Sequence, residues 1–402
     1  ASDNTAVGYR TLFSNLSGND NTAIGWGVLF NNTTGEQNTA TGHGALYLNQ
    51  TGNYNSAFGT GSLYSNTGDA NSAFGYKAMY SNASGENNIA VGSLSLYSNT
   101  SGNNNVAIGA SALYSNSTGA ANVAIGFESL FSSTTASGNA ALGYRALYSN
   151  TSGSRNTGIG YQALYSNTTG NDNNAFGYGA LSANTTGSYN VAFGGNALLS
   201  NTTGNENTAL GYKSLISNTV GSYNTAVGAR SLYSNTSGNN NTAIGYYTLF
   251  RNTTGSDNAG MGYLTLYKNT TGARNTAFGN SSMFSNVTGN KNTASGWGSL
   301  YSNTTGSFNT ASGYTSLFSN TTGQNNSAFG NSSLYSNTTG SMNTALGAQS
   351  LLSNTTGSFN TASGFNAMYR NTEGSFNTAY GFSSMFSNTT GERNTAIGYG
   401  SL

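Results

Sequence analysis

The chain contains no cysteine and no proline in 402 residues. Without thiols it has neither a disulfide framework nor a thiolate metal site. Charge is scarce as well. Twelve basic and eleven acidic groups make up 6% of the residues, against about 25% in ordinary soluble domains. A nucleic-acid binder shows a clustered basic face; these charges are scattered, so no nucleic-acid partner is expected. No apolar run approaches the roughly 18 residues of a membrane span, and no membrane span is expected in this segment. The first residue is Ala, with no secretory signal after it, which gives the expectation of a processed or excerpted chain. Much Asn, Ser, Thr and Gly with little charge is a composition of disordered segments, but 36% hydrophobic and 12% aromatic content argues for a buried core.

What the chain has in abundance is one sentence. Starting from Asn4, Asn21 and Asn38 and ending at Asn394, a 17-residue unit recurs 24 times, with one 16-residue interval between Asn55 and Asn71. Its consensus is N-T-A-[I/V/F/L]-G-Y-x-[A/S]-L-[Y/F]-S-N-T-T-G-[S/N]-x. Asn at position one and Gly at position five occur in all 24 copies, and position nine is Leu or Met in all 24. Position ten is aromatic in 19 of 23 copies, the exceptions being Ser182, Leu199, Ile216 and Leu352. A fixed period near 20 residues marks a solenoid, in which each unit buries its apolar face only against its neighbours.

Seventeen residues are too few for two packed helices and a turn. The pattern predicts an all-β fold: a parallel β-solenoid (β-roll or β-helix) of 24 coils filling residues 1–402 as one array, with no separate capping or anchor domain. Strands are expected at positions two to four and eight to ten, broken by the Gly at five and by the N-T-T-G loop. Apolar residues at six, nine and ten also fit a single helical or 3₁₀ turn, which stands as the alternative for that stretch. Charges fall almost wholly at positions seven, eleven, sixteen and seventeen, as at Arg10, Lys77, Arg251 and Arg274, so those positions face water. The short copy loses its residue in the loop "NTGDA" (Asn66–Ala70), and the loop Gly is displaced only in "SSTTASG" (Ser132–Gly138).

One coil alone cannot offset the roughly 1.5 kcal/mol per residue needed to order it, so each copy must template the next. Leu is expected to stack on Leu, ring on ring and Asn on Asn, the side-chain amides bonding between rungs about 4.8 Å apart. Position nine never turns polar, which makes Leu12, Leu29, Leu46, Leu147, Leu164, Leu232 and Leu300 the expected core ladder. Neighbouring residues of a strand point to opposite sides, so the apolar rows at four and ten face outward. Rows of that kind suit an interface between copies, and lateral or end-to-end self-association into a fibre is expected.

The runs "NTAIGYGSL" (Asn394–Leu402) and "NVAIGASAL" (Asn105–Leu113) resemble the head repeats of trimeric autotransporter adhesins. The longer unit is also similar to Asn-rich repeat regions of bacterial and phage fibre proteins. The resemblance implies a left-handed β-roll, a trimer, and a place on a cell surface facing glycans, host or neighbouring cells. The segment L-Y-S-N-T-T-G departs from the adhesin repeat.

No catalytic constellation emerges. His43, the single histidine, sits at position six where Tyr is commonest, and reads as a substituted surface aromatic. The eleven acids form no regular row of the calcium-binding kind, and no cofactor or metal is expected. The expectation is therefore a non-catalytic extracellular fibre or adhesin shaft, with a phage-type tail-fibre shaft or an ice-binding solenoid as the alternative. Position twelve begins an Asn-x-Ser/Thr triplet in 19 copies, which makes Asn32, Asn167, Asn252 and Asn337 candidate glycosylation sites on exposed loops.

Overall fold

Thr-Ala followed by an aliphatic or aromatic residue is short, β-prone and closed by glycine. In the computed structural model, which describes residues 1–402, each copy of that tripeptide is a strand. Twenty-four parallel strands build a β-solenoid, and no residue is helical. The chain divides into two compact units. Residues 1–203 carry β1 (Thr5–Val7) to β12 (Val191–Phe193), and residues 204–402 carry β13 (Thr208–Leu210) to β24 (Thr395–Ile397). Within each unit every strand pairs in parallel with the strand one coil further on, equivalent residues side by side: Ala107 with Ala124, Ala226 with Ala243. Across the short coil the register holds, Ser56 lying beside Ser72. The residue is lost from the loop crown, where Gly68 still accepts bonds from Asn55 (3.0 Å) and Asn66 (2.8 Å).

The expected second strand is absent, and so is the alternative helical turn. Positions eight to ten form a chain of turns in which the backbone at seven and nine is left-handed: φ is +52° at Arg145 and +54° at Leu147. Left-handed backbone costs an L-residue roughly 1–2 kcal/mol. What holds it there is bonding between rungs. Arg145 N–H donates to the Phe127 carbonyl one coil back (2.9 Å), while Leu147 and Ser149 donate one coil forward, to Ala163 (2.9 Å) and Tyr165 (3.0 Å). The turn segment thus has its own axial ladder without any extended strand, and that ladder satisfies its backbone.

The interior is small. Away from the first and last coils, Ala at three and Leu or Met at nine are fully buried, as are Ala146 and Ser316 at position eight; Ala6 and Leu402, at the two ends, are exposed. Leu29, Leu46, Leu147, Leu164, Leu232 and Leu300 are 0% exposed, and Leu12, in the first coil, is half-buried. The rest of the core is amide. Asn at positions one and twelve is buried and aimed at one target, the carbonyl of the loop Gly at fifteen. Asn241 and Asn252 both donate to Gly255 O, at 2.8 and 2.9 Å. Each amide also bonds to the previous coil: the backbone N–H of Asn241 to Asn224 Oδ1 (3.0 Å), and Asn252 Nδ2 to Asn235 Oδ1 (2.8 Å). These rows are two polar spines along the coil, the second interrupted at Ser133.

Two glycines per coil are required by this packing. At position five, Gly143 has φ +135°, and a Cβ there would meet the Gly160 carbonyl oxygen at 2.5 Å. At position fifteen, a Cβ on Gly153 would meet Asn150 Oδ1 at 2.5 Å. The second contact explains a paired change. The only coil with Ala at fifteen, Ala136, is also the only one with Ser at twelve, Ser133. Ser133 leaves room for the Ala136 methyl but breaks the spine, and the buried atoms Asn116 Oδ1 and Ser133 Oγ have no partner.

Candidate interaction surface

Alternation along each strand that buries Ala at three turns positions two and four outward. The glycine corner then throws position six outward too, and the turns present position ten beside it. Row ten is a column of stacked rings. In residues 1–203 it runs without a gap from Phe13 to Tyr165, through ten rings whose neighbouring centroids lie 4.9–5.4 Å apart at 2–10°. In residues 204–402 a second column of seven runs from Tyr233 to Tyr335. Parallel rings at this separation are offset stacks. They cover each other's faces and show water their edges and, where the residue is Tyr, a hydroxyl.

Rows four and six are more exposed: Phe74 41%, Phe193 44%, Tyr144 38%, Tyr178 61%. They stack in shorter runs, such as Tyr144–Tyr161–Tyr178 at 5.2 and 5.1 Å and Phe58–Phe74 at 5.0 Å. His43 belongs to row six, its ring parallel to Trp26 with centroids 4.4 Å apart; it occupies the place of an aromatic. Position-seven cations cap this face. The Arg145 guanidinium lies 5.1 Å from the Tyr144 ring centre and 5.4 Å from that of Tyr148, and Lys77 sits 5.4 Å from both Tyr76 and Tyr80. Arg145 also pairs with Glu128 at 2.7 Å.

One coil breaks the pattern. Tyr247 places a ring at position seven, edge-on to Tyr246 (4.2 Å, 81°) and to Phe250 (4.8 Å, 67°), and accepts a hydrogen bond from Arg230. The hydrogen bond with Tyr246, then Arg230, lowers the Tyr247 phenol below its ordinary pKa, while the same contact with Tyr247 raises Tyr246. In the long column Tyr64 is raised, first by burial and then by Tyr80 and Tyr47.

The position-twelve asparagines need correction. Asn32, Asn167, Asn252 and Asn337 are 0% exposed, with their Nδ2 atoms bound to Gly35, Gly170, Gly255 and Gly340. An N-linked sugar would have to replace those bonds, so the folded coil offers no row of exposed acceptors. Asn-Thr-Thr reads locally as solvent-facing turn chemistry; the signal for burial was that the Asn and the Gly three residues apart change only together, at Ser133 and Ala136.

No protein-family model matches the chain, and no curated protein matches it either. The surface is therefore read on its own chemistry. Nowhere do three or more His, Asp or Glu side chains gather as metal ligands would, and no helix is long and apolar enough to cross a membrane. The feature that sequence reading missed is the distribution of charge. Residues 1–203 hold seven acids and four bases, and residues 204–402 hold four acids and eight bases. A count by halves shows it, although scattered single charges hide it.

Proposed function

We propose that this chain is a non-catalytic structural solenoid whose aromatic face associates laterally with further copies of itself, building an extracellular fibre or adhesin-type shaft at a cell surface. One observation carries the reading: rows four, six and ten present exposed aromatic and aliphatic side chains along each unit, including Phe74, Tyr144 and Tyr178 at 38–61% exposure, interrupted by single polar residues such as Ser93, Asn280 and Ser312. Each unit has twelve rungs, roughly 55 Å of stripe at about 4.8 Å per rung, whereas soluble monomers rarely expose apolar patches beyond a few hundred Å². Stacked rings are rigid, so docking a second face onto them immobilises little that was free. The adhesin resemblance favours three-fold bundling and a partner on a glycan or neighbouring cell; a phage-type shaft would use the same face. Light scattering at micromolar concentration tests the proposal. Species heavier than the 41.2 kDa chain are expected, and a monodisperse monomer overturns it.

One observation favours ice binding as a second reading. Outward position two is Thr in ten of the twelve coils of residues 204–402, from Thr208 to Thr395, and in only four coils of residues 1–203. The loop threonines at thirteen are a poorer candidate, because they spend their hydroxyls on the next coil, as Thr253 does on Thr270 O at 3.1 Å. Bulkier row-four neighbours such as Phe278 and Phe329, at 42% and 43% exposure, roughen the Thr row. Thermal hysteresis in dilute solution supports this second reading, and its absence removes it.

A further inference from the structure

Charge on the edge formed by positions sixteen and seventeen differs between the units. In the first coils of residues 1–203 every charge on it is acidic: Asp3, Asp20, Glu36, Asp69 and Glu86. None of the five takes part in an ion pair; the three pairs in the chain are Arg145–Glu128, Arg155–Asp172 and Arg274–Asp257. Asp20, Glu36 and Glu86 are exposed. Carboxylates one or two rungs apart repel one another, and the fold supplies no counter-charge.

In residues 204–402 the same two rows are mixed, with Glu206, Asp257 and Glu392 against Arg274, Lys291 and Arg393, and Arg274 and Lys291, one rung apart, line a shallow hollow of about 390 Å³ together with Asp257, Ala273, Asn290, Ser307 and Phe308. Both cations are exposed. The Lys291 ammonium rests 4.8 Å from the Phe308 ring centre, and Arg274 meets Asp257 only at 3.8 Å, with its side chain 65% exposed. Most of the guanidinium donors stay available to an outside carboxylate.

We infer that the acidic edge of residues 1–203 in one copy docks on the basic hollow around Arg274 and Lys291 in residues 204–402 of a second copy. Paired carboxylates at rung spacing meet paired cations at rung spacing, so the contact selects which halves meet while the aromatic face supplies area. Contacts of this kind steer and set register more than they add affinity, and two acidic edges reject each other by repulsion. The inference rests on the self-association proposed above and names its partner surface.

Charge reversal in the full-length chain tests it. Variant A carries Asp20→Lys, Glu36→Lys and Glu86→Lys; variant B carries Arg274→Glu and Lys291→Glu; variant C carries all five. Sedimentation velocity at low and at molar salt follows association, and circular dichroism checks that each variant keeps the wild-type spectrum. Variants A and B alone are expected to associate at least about tenfold more weakly than wild type. An equimolar mixture of A and B, and variant C alone, are expected to recover association, and molar salt to weaken the wild type. A wild type that associates equally well at both salts, with A and B unchanged, overturns the docking while leaving lateral association standing. A monomeric wild type overturns both.

Discussion

In residues 1–203 position eight is Ala or Val in eight coils of twelve, whereas in residues 204–402 it is Ser or Thr in eleven of twelve. The coil around it is the same in both units. Most of the buried Ser find a partner in their own coil, the carbonyl of the glycine three residues back: Ser316 on Gly313 at 3.2 Å, Ser333 on Gly330 at 3.1 Å, Ser350 on Gly347 at 2.8 Å; Ser282 instead meets Ser299 of the next coil at 3.0 Å. Thr248 and Thr265 instead bond forward, to Gly262 at 2.6 Å and Gly279 at 2.8 Å. A buried hydroxyl is tolerated when the backbone supplies its acceptor. Positions one and twelve have no such freedom, because their partners include the same residue in the next coil. The interior therefore varies where the bonding is local and stays fixed where it is shared.

The largest test places one lesion in each unit. Leu147→Asp and Leu317→Asp each put a carboxylate into a dry row, beside Ala146 in one case and Ser316 in the other. An unpaired buried charge costs roughly 3–5 kcal/mol, and both variants are expected to lose that much in chemical denaturation. A hydroxyl neighbour that softened the second lesion appreciably would show that the two cores differ in more than a methyl. Arg145→Ala, two residues from the first lesion and on the surface, is expected to leave the denaturation curve nearly unchanged.

A smaller effect belongs to residues 1–203 alone. Ser133→Asn with Ala136→Gly restores the spine broken in that coil and gives Asn116 Oδ1 a donor. At about 0.5–1.5 kcal/mol per net hydrogen bond, a gain of roughly 1–2 kcal/mol is expected. Ser133→Asn alone is expected to destabilise, because its Oδ1 would press on the Ala136 methyl as the 2.5 Å contact at Gly153 indicates. Additive singles in the double-mutant cycle would refute the steric link.

Exchanging the row-eight residues should do less. Ser316→Ala removes one bond to Gly313 and is expected to cost about 1 kcal/mol or less, with Ala146→Ser nearly neutral because Gly143 O is in position to accept. Unfolding midpoints compared across the two units measure both.

The smallest effect is on ionisation. In alkali the Tyr246–Tyr247 pair should give up its first proton, from Tyr247, below the ordinary phenol pKa of about 10, and its second above it. The lowered group favours the fold as pH rises from the folded Tyr247 pKa towards 10. The raised Tyr64 works the other way in residues 1–203, taking stability away as pH rises from 10 through its folded value. Ultraviolet phenolate absorbance of wild type and Tyr247→Phe checks this: the earliest ionisation should vanish in the variant.

The comparison also marks what the sequence made legible. Asn at one, Gly at five and Leu at nine, together with the period, specified the coil, the first strand and the core ladder, because their constraint is to stack identical residues. The turn at eight to ten was hidden, since Leu147 at φ +54° opposes its local preference and is held by Ala163 in another coil. Burial of Asn252 was hidden for a related reason: its partners lie across the loop, at Gly255, and one coil back, at Asn235. The ring columns followed from position ten, but the gathering of like charge in each half required counting by region.

The axial direction of the inter-rung bonds has a mechanical consequence. Tension applied between the two ends of a unit does not load all rungs together. It falls on the outermost coil, whose few bonds break before those of the next. A released coil of 17 residues extends to roughly 55–60 Å where it had occupied about 4.8 Å of axis. Pulled at one end, such a unit peels like tape from a roll, paying out some 50 Å per turn at nearly constant force.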